Sequence, residues 1–272
     1  MNDAVPNSKS HFVFFESLIR QKIPFVFVRF SDGELEIIRN RRLEINETQV
    51  IWRNGVKVDH MYPIHDVKVF DPGIHQNFRT ALLASAQHRS ENYYKGIPAR
   101  HNDAIADRDY MIDLNGGSIE GLTFSDLFLN ENYRKFLRNV VPLFTEYQNV
   151  SVLGNFRMQP QLFNQNWKLI SIPDNFIADY ELVFANVTNQ LEALPDNSLV
   201  LLSASSLSNT VGMRLSMVRP DLTCIDIGTT MHEIMGLGGS SRAYHVHAEP
   251  LRRSNALKKV RFRFKGDYHL KW

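Results

Sequence analysis

Two carboxylates stand two residues apart in "VFVRFSDGELEII", residues 26–38, where an apolar run that reads as a buried strand gives way to the start of a helix. Neither Asp32 nor Glu34 serves a hydrophobic core, so their position asks for another use. In an extended chain residues i and i+2 project to the same side, which would let both side chains converge on one ion just past the strand. Gly33 between them lets the backbone turn and a ligand approach. Hard oxygen ligands of this kind suit Mg2+ or Mn2+, which take one or two protein carboxylates and complete their shell with water and phosphate oxygens. In outline that is a nucleotide-diphosphate site. The bland alternative is an Asp-Gly turn followed by an early-helix glutamate that the helix dipole favours.

Two further apolar runs end in polar residues. "SASSLSNT" (203–210) follows "LVLL", and "DIGTTMHE" (226–233) follows "LTCI". Ligands of open α/β sheets bind at the carboxyl ends of strands. Small hydroxyl residues entering a helix offer a phosphate backbone N–H groups and the positive end of a dipole, which makes Ser205, Ser206, Asn209 and Thr210 candidate contacts. Their alternative is a plain helix cap by Ser208 or Asn209. Arg29 stands ready to assist the diphosphate, or to pair with a carboxylate and orient it. Asn175, in the "PDNF" turn, is a candidate nucleotide contact or simply a turn former.

The elements that must position these residues follow the pattern of parallel strands joined by crossover helices. Buried strands are predicted at "PFVFVRF", "VSVLGNF", "WKLISIP", "SLVLLSAS" and "LTCIDIG". Helices are predicted at "SKSHFVFFESLIRQ", at "NENYRKFLRNVVPLFTEY" after the cap-like Asn130, at "DYELVFANVTNQLEAL" ending at Pro195, and at "SNTVGMRLSMV". The fold class is therefore α/β, with a Rossmann-like, mostly parallel sheet flanked by helices. Residues 140–235 form its most regular half, and 40–125 form an irregular active-site or cap region. That region holds "LLASAQHRSENYYKGIP", read as a helix leading into a short strand or turn at Gly96–Pro98, and the polar loop "ARHNDAIADRD" with His101 and Asp103. The whole chain, 1–272, reads as one domain.

With 31 basic and 29 acidic residues, the chain lacks the one-sided charge of a nucleic-acid binder, and no nucleic-acid partner is expected. The single cysteine, Cys224, lies in an apolar run and reads as core packing in a reducing compartment. No apolar stretch is long enough to span a bilayer, and the first residues do not read as a secretory signal. A cytoplasmic location is expected, and the sequons at Asn46, Asn149 and Asn186 are taken as chance matches. The segment 250–272 interleaves Lys and Arg with aromatic residues, as a solvated amphipathic strand or helix does. Its minority reading is contact with an anionic membrane surface, a lipid-linked acceptor or nucleic acid.

"RFSDGELEII" is similar to the Arg-Phe-Gly-Asp-Gly-Glu stretch of the GT-D glycosyltransferases, whose Asp-x-Glu motif serves metal-dependent use of a UDP-sugar. The resemblance continues in order through "YYKGIP", "VSVLGNFRM", "WKLISIPDNFIADYELV", "LVLLSASSLSNTVGMRLSMV" and "CIDIGTTMHEI", covering most of residues 25–235. Three departures stand out. Ser31 replaces a glycine, "SASSLSNT" stands where the family has a Gly-Pro-Thr-like turn, and "GTTMHE" stands where it has a Gly-His-x-Asp-x-Glu-like ending. The resemblance implies a GT-D type fold and sugar transfer from a UDP-sugar to a glycan or glycoconjugate acceptor. Asp32 and Glu34 would hold Mn2+ or Mg2+, with Arg29, Phe30, Ser31, Gly33, Asn175, Ser205, Ser206, Asn209 and Thr210 around the donor. It makes Glu233 the first candidate for a base on the acceptor hydroxyl, followed by His232 and Asp226. The alternative to a transferase is a non-catalytic nucleotide- or glycan-binding protein on the same fold.

Overall fold

A computed structural model describes residues 8–45, 51–53, 56–58, 67–98 and 104–237. His101, Asp103, Asn46 and the basic-aromatic segment 250–272 lie outside the described residues. Among those described, eleven strands form two sheets. They are β1 (Val26–Arg29), β2 (Leu43–Ile45), β3 (Ile51–Arg53), β4 (Val56–Val58), β5 (Lys68–Phe70), β6 (Tyr93–Ile97), β7 (Leu122–Phe124), β8 (Val150–Asn155), β9 (Lys168–Ile172), β10 (Leu199–Ser203) and β11 (Thr223–Asp226). The helices are α1 (Ser8–Gln21), α2 (Asp32–Ile38), α3 (Gln76–Gln87), α4 (Ile105–Leu114), α5 (Tyr133–Lys135), α6 (Val141–Phe144), α7 (Tyr180–Glu192) and α8 (Leu207–Val218).

The main sheet has seven strands, all parallel, in the order β7-β6-β1-β11-β10-β8-β9. With helices on both faces this is a Rossmann-like α/β arrangement. Both faces are covered, so β8, β10 and β11 are buried along their whole length, which explains why they read as continuous apolar runs. One face carries α2, α3, α7 and α8, packed through residues such as Leu35, Leu82, Leu191 and Val211 onto Val28, Leu202 and Cys224. The other carries α1, α5 and α6, packed through Phe15, Tyr133 and Phe144 onto Phe27, Leu201 and Ile225. Cys224 is fully buried, and burial pushes its thiol up, as expected of a packing residue.

The second sheet is antiparallel, in the order β4-β3-β2-β5. It occupies the region expected to be irregular, and its Leu43, Ile45 and Phe70 join the same core as α2 and α3. Part of the polar loop expected after residue 98 is in fact α4. The helix expected over 130–147 is divided into a 3-10 turn at Asn130–Asn132, α5, a π segment at Phe136–Val140, and α6. Pro142 has no N–H for the Arg138 carbonyl and its ring crowds that carbonyl, so the wider π turn absorbs the mismatch. Asn130 does not act as a cap there; it adopts φ +48°. Lys95 on β6 is buried, and its Nζ donates to the carbonyls of Ala86 and His88 at the end of α3 and to Asn115 Oδ1, at 2.6–2.8 Å. Burial pulls its ammonium down to about 8.

The seating of α8 sets the position of the polar turn that precedes it. A Cβ on Gly212 would stand 2.5 Å from Val28 Cγ1 and 3.2 Å from Val26 Cγ1, so only glycine lets the helix lie this close to β1. Gly212→Ala is expected to cost about 1–3 kcal/mol, the usual penalty for overpacking a filled core, read as a lower midpoint in urea unfolding at unchanged slope.

Candidate functional site

The connections that follow β1, β11, β10 and β8, neighbours in that order, cross alternate faces of the sheet. After β1 and β10 the chain enters α2 and α8 on one face, and after β11 and β8 it enters Met231, Ile234, Phe163 and Trp167 on the other. Adjacent connections thus lead to opposite faces, the arrangement under which the carboxyl edge of an α/β sheet takes ligands.

Asp32 and Glu34 do stand at that edge, but not in the extended geometry expected of them. The helix α2 begins at Asp32 itself, and residues two apart in a helix are turned by about 200° rather than aligned. Glu34 is 8% exposed, and its Oε2 accepts from the Ser31 backbone N–H at 3.0 Å, as the third-position glutamate of a capping box does. Burial raises its carboxyl above the usual range, while the Lys68 ammonium pulls the other way. Asp32, in the first turn, remains partly exposed. As a donor set for Mn2+ or Mg2+ the segment therefore fits one accessible carboxylate, Asp32, completed by phosphate and water oxygens, a number such ions accept. Glu34 is committed to the helix start and the cation behind it. No group of three or more His, Cys, Asp or Glu side chains is placed to share an ion among the described residues.

Arg29 takes the orienting role. Its Nε lies 3.1 Å from Asp226 Oδ1, joining the ends of β1 and β11. Asp226 also accepts from the Gly228 N–H at 2.8 Å, and its burial raises the carboxyl, opposed by Arg29. The guanidinium lies against Gly228, where a Cβ would stand 1.8 Å from Nη2 and φ is +47°, so this turn needs glycine twice over.

The four residues expected at the phosphates do not share one environment. Ser205 is partly exposed, whereas Ser206, Asn209 and Thr210 are fully buried. Asn209 Nδ2 donates to the Arg29 carbonyl at 2.7 Å, tying α8 to β1, and Thr210 Oγ1 donates to the Leu207 carbonyl at 3.1 Å. Asn209 Oδ1 and Ser206 Oγ are buried with no hydrogen-bond partner among the described residues. Phe30 lies in the core beneath the site, and Gly33 is buried with it. Asn175 faces the small sheet: its Oδ1 accepts from Val69 N–H and its N–H donates to the Val67 carbonyl, both at 2.8 Å, from a backbone at φ +34°.

Of the three acid-base candidates, Glu233 is the partly exposed one, while Asp226 and His232 are 5% exposed. Ser203 Oγ donates to the Gly228 carbonyl at 2.7 Å, which spends its only proton, so the 2.8 Å contact with His232 must be a donation from Nε2–H. That nitrogen is engaged and is not available as a base.

Three features escaped the sequence reading. Lys68 reaches Ser205 from the small sheet, Ser203 holds His232, and Arg157 clamps Asp174 at 2.6 and 2.8 Å across the ends of β8 and β9, where Asn155 Nδ2 also bonds Asp174. Asn155 and Arg157 could have been noticed as polar residues ending an apolar run; Lys68 sits in a strand too short to announce itself. Comparison with family models, with curated proteins and with solved structures finds no match to this chain. What fold and site define is an α/β protein with a Rossmann-like parallel sheet and polar residues at its carboxyl edge. No helix among the described residues is long and apolar enough to cross a membrane.

Proposed function

We propose that the chain is a metal-dependent glycosyltransferase that moves a sugar from a UDP-sugar to a glycan or glycoconjugate acceptor, as in bacterial-type surface polysaccharide or glycoprotein biosynthesis. The observation that carries this reading is the placement of a partly exposed acid, Asp32, just past the carboxyl end of β1, with partly exposed Ser205 and Glu233 in the segments that follow β10 and β11. Support for the reading is that Asp32, Ser205 and Glu233 follow the carboxyl ends of strands, the side on which α/β sheets bind ligands. Asp32 would hold Mn2+ or Mg2+, which when bound supplies positive charge to the departing diphosphate. Arg29 and Asp226 keep the ends of β1 and β11 at fixed separation, and Asn209 keeps α8 against them. Glu233 would accept the proton of the acceptor hydroxyl, since it is the partly exposed member of the three and His232 Nε2 is occupied.

The test is release of UDP from a panel of UDP-sugars by the full chain, with Mn2+ and with EDTA. Turnover that needs the metal is expected; dinucleotide binding without turnover of any UDP-sugar rejects the assignment. A non-catalytic nucleotide- or glycan-binding protein is the second reading, favoured by the inward engagement of Asp226 and His232. It predicts that a UDP-sugar raises the unfolding temperature while none is consumed.

A further inference from the structure

A positive charge that belongs to the protein itself stands at the same edge of the sheet. Lys68, at the start of β5, is 3% exposed and donates from Nζ to Ser205 Oγ at 2.5 Å. An ammonium has only protons to give, so Ser205 accepts with a lone pair and keeps its own O–H for another partner. Ser205 is the one residue from Ser203 to Thr210 that is not buried. It is held at φ +51°, a region that few non-glycine residues occupy, between the end of β10 and the start of α8. The adjoining helix is 12 residues long, and its positive end lies behind this turn. Ser206, at the N-cap, adds a wholly buried hydroxyl with no hydrogen-bond partner among the described residues. Glu34 stands beside Lys68 and Asp32 precedes it in the first turn of α2, and both acids would repel a diphosphate unless cations accompany them.

We propose that Ser205 and Lys68 form an oxyanion seat that takes one phosphate group of the donor directly, without a metal. Ser205 touches the phosphate oxygen through its O–H. Lys68 is a positioning residue: it turns that hydroxyl outward and places a charge behind it. The proposal rests on the UDP-sugar reading for the identity of the anion, but its test does not require transfer. Calorimetric titration of the full chain with inorganic pyrophosphate in excess EDTA measures the seat alone. Wild type is expected to bind. Ser205→Ala, which leaves Lys68 beside Glu34, should weaken binding about 5- to 10-fold, and Lys68→Met about 10- to 100-fold, as for loss of a charge-assisted contact. Lys68→Arg, which keeps the charge, should recover most of the affinity, whereas a purely structural role for Lys68 would leave Arg and Met equally impaired. Pyrophosphate binding that appears only with Mn2+, or an unchanged affinity in Ser205→Ala, overturns the seat. If binding follows these expectations while no UDP-sugar is turned over, the seat stands and the donor assignment falls.

Discussion

Asp32→Asn is expected to lower metal-dependent UDP-sugar turnover by more than about a hundredfold, the scale on which losing one stabiliser of developing negative charge is felt. The fold should hardly notice. Asp32 is a partly exposed first-turn residue, and neutralising it removes about 0.3–1 kcal/mol of favourable interaction with the helix dipole, a shift of roughly 1–4 °C in unfolding temperature for a chain of this size. Glu34 behaves differently. It closes the capping box on Ser31 and lies in the field of the buried Lys68, so Glu34→Ala strips a cap worth about 1 kcal/mol and leaves a buried cation without that counter-charge, at about 3 kcal/mol or more. A double alanine variant would therefore lose activity for two reasons at once, and the single Asp32→Asn change is the clean experiment. Turnover rates with Mn2+ titrated in, beside thermal unfolding curves, measure both halves. Undiminished turnover in a folded Asp32→Asn protein removes Asp32 from the metal site.

The strands β1, β8, β10 and β11 were legible because a doubly covered parallel strand must be apolar along most of its length, and runs such as "LVLL" leave few other readings; β9, at the sheet edge, is half-buried and showed itself by the alternation of Ile170 and Ile172 about an exposed Ser171. The small sheet was not, since β2 to β5 have three residues each, less than any periodicity needs to declare itself. Lys68 was lost for that reason: a charged residue within "VKVF" has no pattern to violate when the strand goes unseen. The pair Asp32 and Glu34 was found at the right place and given the wrong backbone. Assuming an extended chain aligned the two carboxylates, whereas Ser31 and Glu34 at capping-box spacing were the local signal that the helix starts first. The division of "SASSLSNT" into one accessible serine and five buried polar residues depends on how closely α8 lies on β1, which Gly212 sets and linear sequence does not display. Arg29 was weighed between donor and carboxylate, and only the meeting of β1 with β11, nearly two hundred positions later in the chain, shows that the carboxylate is Asp226.

That ion pair carries a stability effect whose cause can be read from its pH dependence. Asp226 is 5% exposed and Arg29 Nε lies 3.1 Å from it, so Arg29→Met would leave a buried carboxylate facing backbone N–H groups, those of Gly228 and of residue 29, with no counter-charge from Arg29. Breaking a buried pair from one side costs about 3–5 kcal/mol. The pH dependence separates this cause from lost packing. Burial already holds the Asp226 carboxyl above its ordinary value, and Arg29 opposes that rise; removing Arg29 sends it further up. A carboxyl whose folded pKa exceeds its unfolded one binds more protons when folded, so stability falls as pH rises through the interval between the two. In the variant that interval reaches higher. The deficit relative to wild type should be complete above the variant's own Asp226 pKa and shrink as the pH is lowered and the carboxyl takes up its proton. Urea unfolding of both proteins between about pH 8 and pH 4.5 reads this directly, with the slope checked for constancy. Arg29→Met combined with Asp226→Asn should regain much of the loss, because the unpaired charge is gone. A deficit that is the same at every pH, and is not relieved by Asp226→Asn, would mean that Arg29 stabilises this edge of the sheet by filling space against Gly228 and not by pairing with Asp226.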